Sequence, residues 1–138
     1  MDRFTLQGFL ARHRYGVVSS LSNEGNPQSA LVGIAVTPEL EIVFDTVKSS
    51  RKYSNLIARP MCSFVVGWAA EQTVQLEGIA VEPKGQELQR YQEIYFATWP
   101  EGKAHMRWPG IAYFVVRPRW IRYSDYDQTP ALIVEFTI

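Results

Sequence analysis

Within residues 46–52, Thr-Val-Lys-Ser-Ser-Arg-Lys, three hydroxyls (Thr46, Ser49, Ser50) alternate with three cations (Lys48, Arg51, Lys52). Hydroxyls donate hydrogen bonds to anionic oxygens, and Lys and Arg add charge-assisted ones. A helix opening at Ser49 or Ser50 would add its first free backbone N–H groups and the positive end of its dipole. Such a set suits a phosphate or another anion, held without a glycine-rich loop. The same residues also read as an ordinary helix start, because serines are good caps and surface cations are simply solvated. Arg51 and Lys52 would stand at the positive end of the dipole, mildly unfavourable on their own, and this hints at an anionic partner.

Other reactive side chains are scattered. His13 and His105 are the only histidines, and neither has a second His or Cys at ligand spacing, so no metal site is expected. The serines have no histidine close in sequence, which leaves a Ser-His-Asp triad unsupported. Cys62 sits in an apolar run and reads as an inert buried thiol. Asp125 and Asp127, close to Pro130, read as a polar turn and not as a working carboxylate pair. His105, in Lys-Ala-His-Met-Arg-Trp, reads first as a surface histidine and second as one facing a cofactor or substrate. Trp99 and Trp108 flank the loop 100–107, where aromatics fill an interface or core, or stack on a flat ligand. No residue is assigned as catalytic.

Positioning these groups needs a scaffold, and the chain alternates short apolar runs with turn signals. A short helix is expected over residues 4–14, ended by Gly16. Strands are expected over 15–21, 28–36 and 40–46, with Asn-Glu-Gly-Asn-Pro and Thr-Pro-Glu between them, as an antiparallel meander. A capped helix over 49–59 precedes Pro60. Strands over 61–68 and 73–81, a helix over 85–98, and strands over 111–116, 119–123 and 132–136 complete the chain. Many short antiparallel strands with few helices suggest a mainly β barrel, since closure removes exposed edges.

The chain has 138 residues, 46% hydrophobic and 20% charged, the balance of one globular domain over residues 1–138. At this length about two thirds of the unfolded surface is buried, enough for a core without staples. A single cysteine excludes an internal disulfide framework. Lys plus Arg equals Asp plus Glu at 14 each, so there is no basic footprint for nucleic acid. No apolar run approaches a membrane helix, and the first residues lack a signal-peptide pattern, so a cytoplasmic protein is expected.

Order and spacing then add a resemblance. Gly25-Asn26-Pro27, Val43-Phe44-Asp45-Thr46, Ser50-Arg51-Lys52, Arg59-Pro60, the run Trp68–Gly78 ending in Glu77-Gly78, and Phe114-x-Val116-x-Pro118 follow one another as in the pyridoxamine-phosphate-oxidase-like proteins. The similarity spans about residues 15–123. It implies a six-stranded antiparallel split barrel and a homodimer holding FMN in clefts between subunits. It also implies that Thr46, Ser50, Arg51 and Lys52 hold the FMN phosphate, joined by Ser49 in the same turn. Ala30, Leu31 and Val32 would border the isoalloxazine, and Thr73 would lie near its polar edge. Ala30 and Ala35 stand where the oxidase has Arg and Lys, Asp45 where it has Tyr beside the Thr, and Thr73 where it has Gln. The basic C-terminal motif that grips pyridoxal phosphate has no counterpart after Pro118.

The expected function is therefore an FMN-binding flavoprotein, an oxidoreductase on an unidentified small molecule. The alternatives are a flavin-, haem- or deazaflavin-binding module without turnover, and pyridoxamine or pyridoxine phosphate oxidation itself. No nucleic acid or membrane partner is expected.

Overall fold

The computed structural model describes residues 1–138. The elements run α1 (Arg3–Ala11), β1 (Tyr15–Leu21), β2 (Pro27–Gly33), β3 (Ala35–Val36), β4 (Ile42–Val47), α2 (Arg51–Ala58), β5 (Met61–Val66), β6 (Gln72–Val81), α3 (Gly85–Thr98), a 3-10 helix (Pro100–Arg107), β7 (Ile111–Asp125) and β8 (Leu132–Thr137). Pairing is antiparallel throughout, in the order β2-β1-β5-β6-β7-β4-β3, with β8 on the flank of β7.

The two ends of that order, β2 and β3, are one stretch of chain interrupted only at Ile34. Its first half pairs with β1 and its second with β4, so the sheet curls back on itself as a split barrel. Eight strands are present, not six. The run expected over 28–36 changes partner at the fully buried Ile34, whose N–H donates to the Arg14 carbonyl, and so divides in two. The runs expected over 111–116 and 119–123 are instead one long strand passing through Pro118. Pro118 has no N–H to give, and it sits opposite Gly78, beside the register shift between Glu77 and Gly78. A Cβ on Gly78 would lie 2.5 Å from the Arg117 carbonyl oxygen, so only glycine lets the two strands approach this closely.

Alternation along β4 and β7 divides the apolar side chains into two layers. Phe44 and Phe114 point into the barrel, ring centroids 5.7 Å apart, with Phe64 against Phe44 at 5.8 Å. Leu6, Phe9 and Leu10 of α1 join this core. Val43, Tyr113 and Val115 point outward and are covered by Tyr91, Tyr95 and Phe96 of α3. Asp2 caps α1, accepting the Thr5 N–H at 2.8 Å. That helix stops at Ala11, short of the expected residue 14, and His13 turns back to hydrogen-bond the Phe9 carbonyl through Nδ1 at 2.8 Å. Gly16 belongs to β1, where a Cβ would press to 3.1 Å of the Phe64 ring.

Candidate functional site

The end of β4 and the start of α2 form one compact turn. The Lys48 N–H donates to the Gly110 carbonyl at 2.7 Å, and the Ser50 N–H to the Val47 carbonyl at 2.9 Å. Ser50 is the N-cap of α2: its hydroxyl accepts the Tyr53 N–H at 3.3 Å. Its Oγ also lies 2.8 Å from Thr46 Oγ1, so both hydroxyls meet at the mouth of the helix. Asn55, buried on the inner face of α2, donates from Nδ2 to Ser20 Oγ at 3.0 Å and to Gln28 Oε1 at 2.9 Å. These bonds fasten α2 to β1 and β2 and fix the distance between the helix opening and the strand facing it.

Two adjoining clefts occupy that gap. The smaller, about 90 Å³, is lined by Ser29 and Ala30 on β2 and by Arg51 and Lys52 on α2. The larger, about 290 Å³, is lined by Leu31, Val32, Asp45, Thr46, Lys52 and Trp108, among others. Lys52 borders both. Larger concavities lie elsewhere, one of about 470 Å³ on the outer face of β1, β5 and β6, another of about 520 Å³ beside Phe4 and Pro38. Each holds a single cation, Arg119 or Arg3, together with a carboxylate, Glu77 or Glu39; the second touches the start of α1, but the Asp2 carboxylate already caps that opening. Size therefore does not single out the site; the charge arrangement does.

Neither Arg51 nor Lys52 forms an ion pair within the chain. Burial pushes the Lys52 ammonium below its ordinary value, only partly countered by the Asp45 carboxylate. A partly buried cation in the cleft that Thr46 also lines, beside a helix opening and without an ion-pair partner, is the chemistry of an anion acceptor.

Of the residues singled out from sequence, Ala30, Leu31, Val32, Asp45, Thr46, Arg51 and Lys52 line these clefts, and Ser50 is hydrogen-bonded to Thr46. Ser49 is exposed in the turn. Thr73 lies apart: it pairs with Ser124 at one end of β7, whereas Thr46 pairs with Ala112 at the other. Ala35 is buried beneath α3. Asn55 escaped the sequence reading, giving no signal beyond being a polar residue in a helix. His105 and Trp108 were singled out there, but their place beside Asp45 depends on how the 3-10 helix folds back. His105 Nδ1 stands 3.7 Å from Asp45 Oδ2, so it is not merely a surface histidine. No group of three or more His, Cys, Asp or Glu side chains gathers to hold a metal ion. No helix is long and apolar enough to cross a membrane.

Residues 5–128 match the sequence profile of pyridoxamine 5'-phosphate oxidase. The chain belongs to this family. No curated protein matches the sequence. Among solved structures, a haem-binding protein from Mycobacterium smegmatis superposes with a TM-score of 0.84 at 20% identity, over 99% of this chain and 58% of that one. The chain thus spans little more than half the length of that neighbour. A pyridoxamine 5'-phosphate oxidase-related, FMN-binding protein from Nostoc punctiforme superposes with a TM-score of 0.66 at 12% identity, over 99% of this chain and 92% of that one. At these identities the likeness establishes the shared fold, and family membership rests on the profile.

Proposed function

We propose that this chain is an FMN-binding flavoprotein that acts as an oxidoreductase on a small molecule. The observation that carries the proposal is the paired Thr46 and Ser50 hydroxyls at the opening of α2, with the unpaired, desolvated Lys52 beside them. In this reading Thr46, Ser50, Arg51 and Lys52 hold the FMN phosphate, Ser49 borders it, and Ala30, Leu31 and Val32 lie along the isoalloxazine. The flavin supplies the redox chemistry when bound. The chain's own residues neutralise the phosphate charge, fix its position through α2, and cover one side of the cleft with apolar strand residues.

The same reading makes the working unit a homodimer. Leu31, 63% exposed, lines the cleft and also starts an apolar row across the outer sheet, Leu31–Val17–Val65, in register on β2, β1 and β5. A second copy covering that row would close the open side of the cleft. It would also bring its own Thr73 within reach of a flavin that the first copy's Thr73 cannot touch. The residues after Pro118, Trp120-Ile121-Arg122-Tyr123-Ser124-Asp125, stand in place of the oxidase's basic motif and argue against pyridoxamine phosphate as the substrate. A cytoplasmic location fits a flavoprotein without a disulfide framework.

Titration of the purified protein with FMN, followed by quenching of flavin fluorescence, tests the proposal. Saturable binding at micromolar FMN is expected, weakened in Arg51→Ala and Lys52→Ala. No binding, or binding indifferent to both substitutions, would refute it. A haem-binding role is the second reading, favoured by the half-exposed His105 imidazole near the cleft. An intense Soret band with added haemin and none of the flavin effects would select it.

A further inference from the structure

Another cavity, of about 270 Å³, lies on the side of the barrel that α3 covers, and it shares only Ile111 with the two clefts of the proposed flavin site. One wall is Lys84, Leu88 and Gln92, four residues apart and therefore on one stripe of the helix and its cap. Another is the head of β7, with Ala112 and Tyr113. Lys48, from the turn between β4 and α2, and Glu82, from the link between β6 and α3, complete its charged lining.

Tyr113 points out of the barrel toward α3, is 4% exposed, and has a hydroxyl without a hydrogen-bond partner. Gln92 stands beside that hydroxyl without reaching bonding geometry. Asp45, opposite Tyr113 in the pairing of β4 with β7, is engaged by Tyr95 through Oδ1 and does not bond to it. Burial raises the hydroxyl above its ordinary value, and the Asp45 charge adds to this, so it keeps its proton. A buried donor with nothing to donate to carries its desolvation cost uncompensated. An acceptor atom of a ligand in the cavity would remove that cost.

The charges say which acceptor. Lys84 is matched by Glu82 at 3.5 Å, and Glu82 also accepts the Tyr53 hydroxyl at 3.0 Å. Lys48 has no ion-pair partner. One free cation with two neutral donors, the Tyr113 hydroxyl and the Gln92 amide, suits a single negative charge. A phosphate dianion would ask for a second free cation. Leu88 and Ile111 offer apolar surface to the rest of the ligand.

We propose that this cavity is a second ligand site, one that takes a small monocarboxylate with an apolar body. The carboxylate accepts the Tyr113 O–H and is neutralised by Lys48, and the body packs on Leu88 and Ile111. Nothing in this assignment depends on what the neighbouring clefts hold.

The probe is 4-fluorobenzoate, titrated with the purified chain and followed by its ¹⁹F signal. Saturable broadening is expected in the wild type, with a Kd of about 1 mM or below, ordinary for a ligand of this size. Lys48→Gln and Tyr113→Phe should each weaken it about tenfold. Tyr113→Phe removes only the unpartnered hydroxyl, so without probe it should melt no lower than the wild type. Lys52→Met should leave probe affinity unchanged, and the neutral 4-fluorobenzyl alcohol should not saturate. Absence of saturable binding, affinity indifferent to Lys48→Gln or to Tyr113→Phe, or equal binding of the alcohol overturns the proposal. So does binding lost in Lys52→Met, which would place the probe in the neighbouring cleft.

Discussion

Lys52 is the residue on which cofactor retention should turn. Its ammonium is held below its ordinary value by burial, so the folded chain binds that proton less readily than the unfolded chain does. The resulting cost to stability is present at neutral pH and fades as pH rises through the lowered value. In the proposed complex, a phosphate at the mouth of α2 would offset it. Lys52→Met should therefore weaken FMN binding about 10- to 100-fold, the range for losing a charge-assisted hydrogen bond, without lowering the melting temperature of the free protein. Wild-type affinity should fall as pH rises through the lowered Lys52 value, and Lys52→Met should flatten that dependence in fluorescence titrations. Cys62 gives a second residue-scale expectation. Burial pushes its thiol up to about 12 from 9.0. Aromatic disulfide reagents should leave it unmodified in the native protein and label it fully in denaturant. The stabilising difference is complete below the unfolded thiol's value and is lost as pH climbs from there toward the folded one. The residue types at 46–52 carried their chemistry openly in the sequence. The Asp45–His105 contact did not, because it joins residues on different elements through a 3-10 segment with no periodic signal.

Helix α2 turns a list of polar residues into a site. Ser50→Ala removes both the cap and the bond to Thr46, and should cost about 1 kcal/mol in urea denaturation. Asn55→Leu deletes the donor that Ser20 and Gln28 accept and should cost about 1–3 kcal/mol. It should weaken FMN binding as well, because the helix opening is no longer held against β2. The helix was legible from its serines and Pro60, and its observed start at Arg51 with Ser50 as cap lies within the expected span. The strands were legible from β-branched runs and turn clusters. Partner changes were not: nothing local to residues 28–36 marks Ile34 as the point where pairing passes from β1 to β4. Pro118 looked like a strand break, yet β7 runs through it because Gly78 and the adjacent register shift absorb the missing N–H. Gly78→Ala should accordingly destabilise the fold by about 2 kcal/mol or more, since the obstructing atom is backbone.

For the molecule as a whole, barrel closure follows from one strand pairing at both ends of the sheet, and it brings β2, β4 and α2 together around the two clefts. The general architecture was legible, because many short antiparallel strands need closure to hide their edges. Where Thr73 would act was not legible: it lies at the far end of β7 from Thr46, and in the proposed dimer it is the second copy's Thr73 that would approach the cofactor. In the proposed dimer, Leu31→Asp puts a charge in the apolar row shared by the interface and the cleft. It should shift the protein to monomers in sedimentation and reduce FMN binding at the same time. The most direct measurement is a crystal structure grown with excess FMN. The account predicts phosphate oxygens within hydrogen-bond distance of Thr46 Oγ1, Ser50 Oγ and Lys52 Nζ, with the ring along Leu31 and Val32. A structure with FMN bound elsewhere, or with the opening of α2 free of phosphate at saturating ligand, would contradict it.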